Sequence, residues 1–158
     1  MRLRRIGEQR DEVAVISFRG EQASVLLTPT RSVEQAELAL RELPTGGRTP
    51  LSHALQLALD MLDKTDTRHA PPLLIVLSDG KANVALQENG DPWRETLALA
   101  DLIAERAIPA LVLDTETGFL RFGRANQLSQ AMGAEYLTLE ALSAENLALT
   151  ISARMGRV

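Results

Sequence analysis

The sequence predicts an α/β fold: a doubly wound, mainly parallel sheet with helices on both faces. Two runs, LLIVLS (73–78) and IPALVLD (108–114), are apolar without alternation, as strands buried on both faces are. Segments of helical periodicity lie between and after them, and strands alternating with helices of 10–15 residues make parallel crossover units. The chain has 158 residues, the length of one domain, and no internal repeat or linker divides it.

The elements follow in order. EVAVISF (12–18) alternates as a half-buried strand does, Gly20 turns the chain, and ASVLLT (23–28) is its expected hairpin partner, ended by Pro29. Ser32 with Gln35 three residues later reads as a capping box, opening a helix that Pro44 closes. After the loop TGGRTP (45–50), Thr49 stands where a helix N-cap belongs and Pro50 at the first helical position. The stripe Leu51, Ala54, Leu55, Ala58, Leu59 and Leu62 gives that helix one apolar face.

Beyond the strand at 73–78, Asp91 and Pro92 start a helix to about Ala107, and a strand ends at Asp114. A helix over 122–132 stops at Gly133, EYLTL (135–139) is the last strand, and Ser143 caps a closing helix.

Composition narrows the function. The chain is 45% apolar and 24% charged, with 17 basic and 21 acidic residues giving a net charge of −4. No basic block beyond MRLRR marks a nucleic-acid footprint. Without cysteine there is no disulfide framework, thiolate metal site or cysteine nucleophile. No apolar run reaches the roughly 18 residues that a membrane helix needs, so a cytoplasmic protein without membrane contact is expected. TGGRTP has no G-x-G-x-x-G, and Gly80–Lys81 completes no phosphate loop because Ile75 and Ala82 occupy the required positions. Metallopeptidase and hydrolase motifs are absent.

In doubly wound folds ligands bind beyond the carboxyl ends of the strands, which brings Asp79 and Asp114 to the functional edge. Thr49 serves equally as a helix cap or as a hydroxyl ligand, and Asp79 as a turn residue or as a carboxylate ligand. Together they offer hard oxygen donors of the kind Mg²⁺ takes, short of a complete site. His53 and His69 are expected at the surface, and Trp93 in core packing at a helix start. Arg121 and Arg124, flanking Phe122, read as solvated side chains or as a weak partner-binding surface.

ISFRG (16–20), LLTPTRSVEQA (26–36), TGGRTPLSHAL (45–55), LIVLSDGKANVAL (74–86) and LVLDTETGFLRFGRANQLSQAMGAEYLTLEAL (111–142) form an ordered set. This set resembles the C-terminal von Willebrand factor A (integrin-I-like) domain of the D-type subunit of magnesium chelatase. TGG-x-TPL with LSDG-K/R-AN is fairly specific to chelatase-type domains, whereas SDG alone is common to A domains.

The resemblance implies a metal-ion-dependent adhesion site of three parts: a D-x-S-x-S loop, a threonine and an aspartate. The last two map to Thr49 and Asp79. The D-x-S-x-S segment is absent, and MRLRRIGEQRDEV resembles the tail of the helix that follows it. Residues 1–158 are thus expected to form a single A-type domain lacking its first, central strand. That loss should weaken the fold, pair the flanking strands directly, or drive self-association.

By resemblance the function is non-catalytic assembly within a multi-subunit magnesium chelatase. The domain would couple the ATPase (I) subunit to the porphyrin-binding (H) subunit, for insertion of Mg²⁺ into protoporphyrin IX. Two other readings stand beside it: an adaptor unrelated to tetrapyrroles, and a domain binding a small phosphorylated ligand at TGGRTP.

Overall fold

The computed structural model describes residues 11–43, 46–66, 68, 71–116, 122–139 and 141. The elements are β1 (Val13–Arg19), β2 (Gln22–Thr30), α1 (Val33–Arg41), α2 (Leu51–Asp63), β3 (Leu74–Ser78), α3 (Pro92–Glu105), β4 (Ala110–Asp114), α4 (Arg124–Met132) and β5 (Glu135–Thr138). The closing helix expected from Ser143, and the positions of Pro44, Arg121 and His69, lie outside the described residues. Two compact units result, one of Pro71–Lys81 with Thr96–Val158 and one of Arg2–Ala70 with Ala82–Glu95.

In the first unit β3, β4 and β5 form a parallel sheet in that order. Every residue of the central β4 is buried, as its unbroken apolar run requires. α4 packs on β4 and β5, with Ala125, Leu128 and Met132 buried, and Ala100 and Ile103 of α3 are fully buried. Gly133 ends α4 at φ +63°, a left-handed cap.

β3 is less covered than its run of apolar residues promises. Leu74 N–H donates to Pro109 O and Ser78 O accepts from Thr115 N–H, so residues 74, 76 and 78 turn their main-chain groups to β4. Ile75 and Leu77 turn theirs the other way, where no strand pairs among the described residues. Their side chains are 36% and 51% exposed, while Val76 is buried. Ile75 and Leu77 thus leave apolar surface open on β3.

In the second unit β1 and β2 form the expected antiparallel hairpin, turning through Gly20 at φ +79°. α1 and α2 pack on it. Leu51, Ala54, Leu55, Ala58 and Leu59 are buried as their spacing foretells, with Leu62 half-buried. β1 pairs with β2 and β3 with β4, so the direct pairing anticipated across a missing strand does not form among the described residues.

Pro29 lies within β2 rather than ending it. β2 is an edge strand, where a missing N–H costs no ladder bond. Ser32 caps α1 by accepting from Gln35 N–H (3.2 Å). The Gln35 side chain reaches Thr30 instead of closing the box: its Oε1 accepts from Thr30 Oγ1, which in turn accepts from Ser32 N–H.

The contrast between β3 and β4 has a measurable consequence. Leu77→Lys should change stability by no more than about 0.5 kcal/mol, as exposed substitutions do. Val112→Ala, emptying space in the fully buried strand, should cost on the order of 2 kcal/mol. Denaturant unfolding of the two variants checks this.

Candidate functional site

Asp79 sits at the carboxyl end of β3, where the chain turns sharply. Ser78 Oγ accepts from Gly80 N–H (3.0 Å), and Asp79 Oδ1 accepts from Lys81 N–H (2.9 Å). Short polar side chains bonding two residues onward hold such turns. Gly80 has φ +83°, and a Cβ there would lie 2.5 Å from Ala125 N and 2.6 Å from Arg124 Cβ. Only glycine fits, and the turn therefore seats against the first turn of α4.

The second oxygen of Asp79 lies 3.4 Å from Lys81 Nζ, with the two side chains 30% and 73% exposed. An ion pair this open is worth about 0–1 kcal/mol, so Lys81 is easily displaced. Asp79 thus builds its turn with one oxygen and keeps the other at the surface. The two readings of this residue are compatible.

Asp114, at the end of β4, is only 1% exposed. Its Oδ2 accepts from Tyr136 OH (2.5 Å) and its Oδ1 from Glu116 N–H (2.8 Å), the donors a buried carboxylate requires. Asp114 is a structural member of the edge. Glu116 Oε1 accepts from Phe122 N–H (3.1 Å), and its Oε2 is buried without a hydrogen-bond partner. Arg124 opens α4 and is exposed beside the Gly80 turn; Arg121 lies outside the described residues.

Thr49 belongs to the other unit and departs from expectation. The N-cap of α2 is Pro50, with no side-chain cap bond, and the helix begins at Leu51. A proline at φ −82° and ψ 64° leaves Thr49 one residue too early to cap. Its main chain is clamped by Asn83: Thr49 N–H donates to Asn83 Oδ1 (2.7 Å) and Asn83 N–H to Thr49 O (3.2 Å). Arg48 ties the same loop to the hairpin, accepting at its O from Gly20 N–H (3.0 Å) and pairing with Glu21 (2.5 Å). These bonds hold the main chain of Thr49, and its hydroxyl does not cap α2.

Three residues here were hidden in the sequence. Asn83 was visible only as part of LSDGKAN. Glu95 gathers the loop before α3, accepting from Leu86 N–H (2.6 Å), Gln87 N–H (3.1 Å) and Ser52 Oγ (3.2 Å). His53 is half-buried, and its Nδ1 accepts from Ala23 N–H (2.9 Å), so it is no ordinary surface residue. Its place off the apolar stripe of α2 concealed that role. Trp93 is half-buried at the start of α3, where Asp91 accepts from Trp93 and Arg94 N–H.

Thr49 in one unit and Asp79 in the other each carry an oxygen of the hard class that Mg²⁺ accepts. Among the described residues no group of three or more His, Cys, Asp or Glu could hold a metal ion. Nor is any described helix long and apolar enough to cross a membrane.

The sequence pattern of the von Willebrand factor type A domain matches residues 2–81. An uncharacterized protein of Mycobacterium tuberculosis is 41% identical, over 92% of this chain and 23% of its own length. The magnesium-chelatase 67 kDa subunit of Chlorobaculum parvum is 37% identical, over 87% of this chain and 24% of its own. This chain thus spans about a quarter of those two relatives. An uncharacterized Methanocaldococcus jannaschii protein is 35% identical, over 89% of this chain and 81% of its own.

Two solved structures share the fold at low identity. BatB from Bacteroides thetaiotaomicron has a TM-score of 0.67 at 18% identity, over 96% of this chain and 80% of its own. The SpRpn10 VWA domain has a TM-score of 0.56 at 11% identity, over 81% and 64%.

Gly80→Ala should destabilise the chain by about 2–4 kcal/mol, combining left-handed strain with overlap against α4. Gly20→Ala, at φ +79° with nothing within 4 Å of the added carbon, should carry the strain alone, about 1–2 kcal/mol. Equal losses in thermal unfolding would show that the contact with α4 does not constrain Gly80.

Proposed function

We propose, on the premise that this chain belongs to the von Willebrand factor type A domain family, that it is a non-catalytic module that docks a protein partner with the help of Mg²⁺. Thr49 and Asp79 would be among the oxygen ligands. Each has a local structure suited to that role: Thr49 has a hydroxyl not engaged in capping α2, and Asp79 has a carboxylate oxygen at the surface. The surface oxygen of Asp79 is the observation that carries the proposal. Bound there, Mg²⁺ would supply an open coordination position for a partner carboxylate.

Similarity to magnesium-chelatase subunits from Chlorobaculum parvum, Chlorobaculum tepidum and Cereibacter sphaeroides supports placing the module in a chelatase. In that setting it would join the ATPase (I) subunit to the porphyrin-binding (H) subunit. A second reading, an adaptor outside tetrapyrrole synthesis, draws on the Methanocaldococcus jannaschii relative, of which this chain covers 81%.

The test is binding of the chain to the immobilised ATPase (I) subunit of magnesium chelatase, in Mg²⁺ and in EDTA. Loss in EDTA and at least a tenfold loss for Asp79→Ala, roughly 1.4 kcal/mol or more, are expected. Docking that ignores both changes refutes the proposal. Lys81→Gln removes the competing ammonium, so Mg²⁺ should bind about two- to fivefold more tightly by calorimetry.

A further inference from the structure

Within the unit of Arg2–Ala70 and Ala82–Glu95, the stretch 48–52 and the loop 83–87 are bonded to each other along their length. Thr49 N–H donates to Asn83 Oδ1 (2.7 Å), and Asn83 N–H donates to Thr49 O (3.2 Å). Arg48 Nη2 donates to Asn83 O and Ser52 Oγ to Val84 O, both at 3.5 Å. Glu95 pins the loop further along, accepting from Leu86 N–H, Gln87 N–H and the hydroxyl of fully buried Ser52. Asn83 is therefore itself held, as a group that orients another must be.

The paired bonds between Asn83 and Thr49 do more than tie down a loop. Anchoring both the N–H and the C=O of one residue fixes the peptide planes on either side of its Cα, and with them the direction of its Cβ. Pro50 follows, which restricts Thr49 to extended backbone, and Pro50 is itself buried. The branched Thr49 side chain then has few staggered positions open to its hydroxyl. Asn83 is exposed, where water would satisfy its amide and the Thr49 N–H equally well. Burial does not call for this contact, so its effect lies in what it orients.

We infer that Asn83 is a positioning residue for the Thr49 hydroxyl, restricting it to the direction in which it serves as a ligand. The inference rests on the proposed role of Thr49 toward Mg²⁺ and adds the residue on which that role depends. LSDGKAN thus carries both a candidate ligand, Asp79, and the residue that orients the other one. Groups that orient metal ligands typically change metal affinity roughly 10–100-fold when removed.

A double-mutant cycle on Mg²⁺ affinity, by calorimetry on the whole chain, tests this. Asn83→Ala should weaken Mg²⁺ binding roughly tenfold, and Thr49→Ala by at least as much. The double variant should bind no more weakly than Thr49→Ala alone, because Asn83 acts through Thr49. Without Mg²⁺, the Thr49 amide should exchange with solvent faster in Asn83→Ala than in the wild type. Asn83→Asp keeps an acceptor at the same position and should hold that exchange at the wild-type rate. Asn83 is exposed, so both of its variants should keep the wild-type far-ultraviolet circular dichroism.

Additive losses in the double variant overturn the inference, since Asn83 then acts on Mg²⁺ by another route. Wild-type affinity in Asn83→Ala overturns it too, while leaving Thr49 a ligand, and so does a Thr49 amide as protected in that variant as before. A wild-type chain that binds no Mg²⁺, or a Thr49→Ala variant that binds it undiminished, instead removes the premise and the inference with it.

Discussion

A strand covered on both faces cannot carry a charge along its length, and this constraint places the polar groups of the parallel sheet. β4 is buried from Ala110 to Asp114, and four of its five side chains are apolar. Desolvating an ion there without partners would cost more than the sheet could recover. Along β3 and β4 charged groups therefore appear only where the strands stop. Asp114 ends β4 with two donors on its carboxylate, and Asp79 lies just beyond β3, half of its carboxylate spent on the turn. Gly80 then brings the turn against α4 closely enough that no other residue fits. The end of β3 sets the address of Asp79, and a steric contact decides its aim.

The loop bearing Thr49 is held by a different device. Asn83 bonds its main chain in both directions, while Arg48 ties it to the hairpin. Hydrogen bonds of this kind contribute about 0.5–1.5 kcal/mol each, and their greater value here is positional. The capping duty that the sequence seemed to assign to Thr49 falls instead to the Pro50 position. Asn83 and Arg48 thus build the loop, and neither is a candidate ligand.

Much of the fold was legible because it follows from periodicity. The stripe on α2, the unbroken run of β4, the hairpin and the glycine stop of α4 all stand where the pattern puts them. The exceptions have local causes. Pro29 continues β2 because an edge strand tolerates it, and Pro50 takes the cap position from Thr49 through its own backbone angles. Asn83, Glu95 and His53 were not legible, since each acts on a main-chain group distant in sequence: Thr49, Leu86 and Ala23. No spacing rule encodes such pairs. Asp79 was singled out as a candidate because strand ends in this fold class are functional edges, and Thr49 because its motif resembles that of a known family.

The most direct measurement is a Mg²⁺ titration of the ¹⁵N-labelled chain, followed by amide chemical shifts. Saturable shifts should concentrate at Asp79, Gly80 and Lys81 and at Arg48 and Thr49, and Asp79→Ala should abolish all of them. Small shifts scattered over the acidic residues, or shifts that persist in Asp79→Ala, would contradict a Mg²⁺ site at this edge.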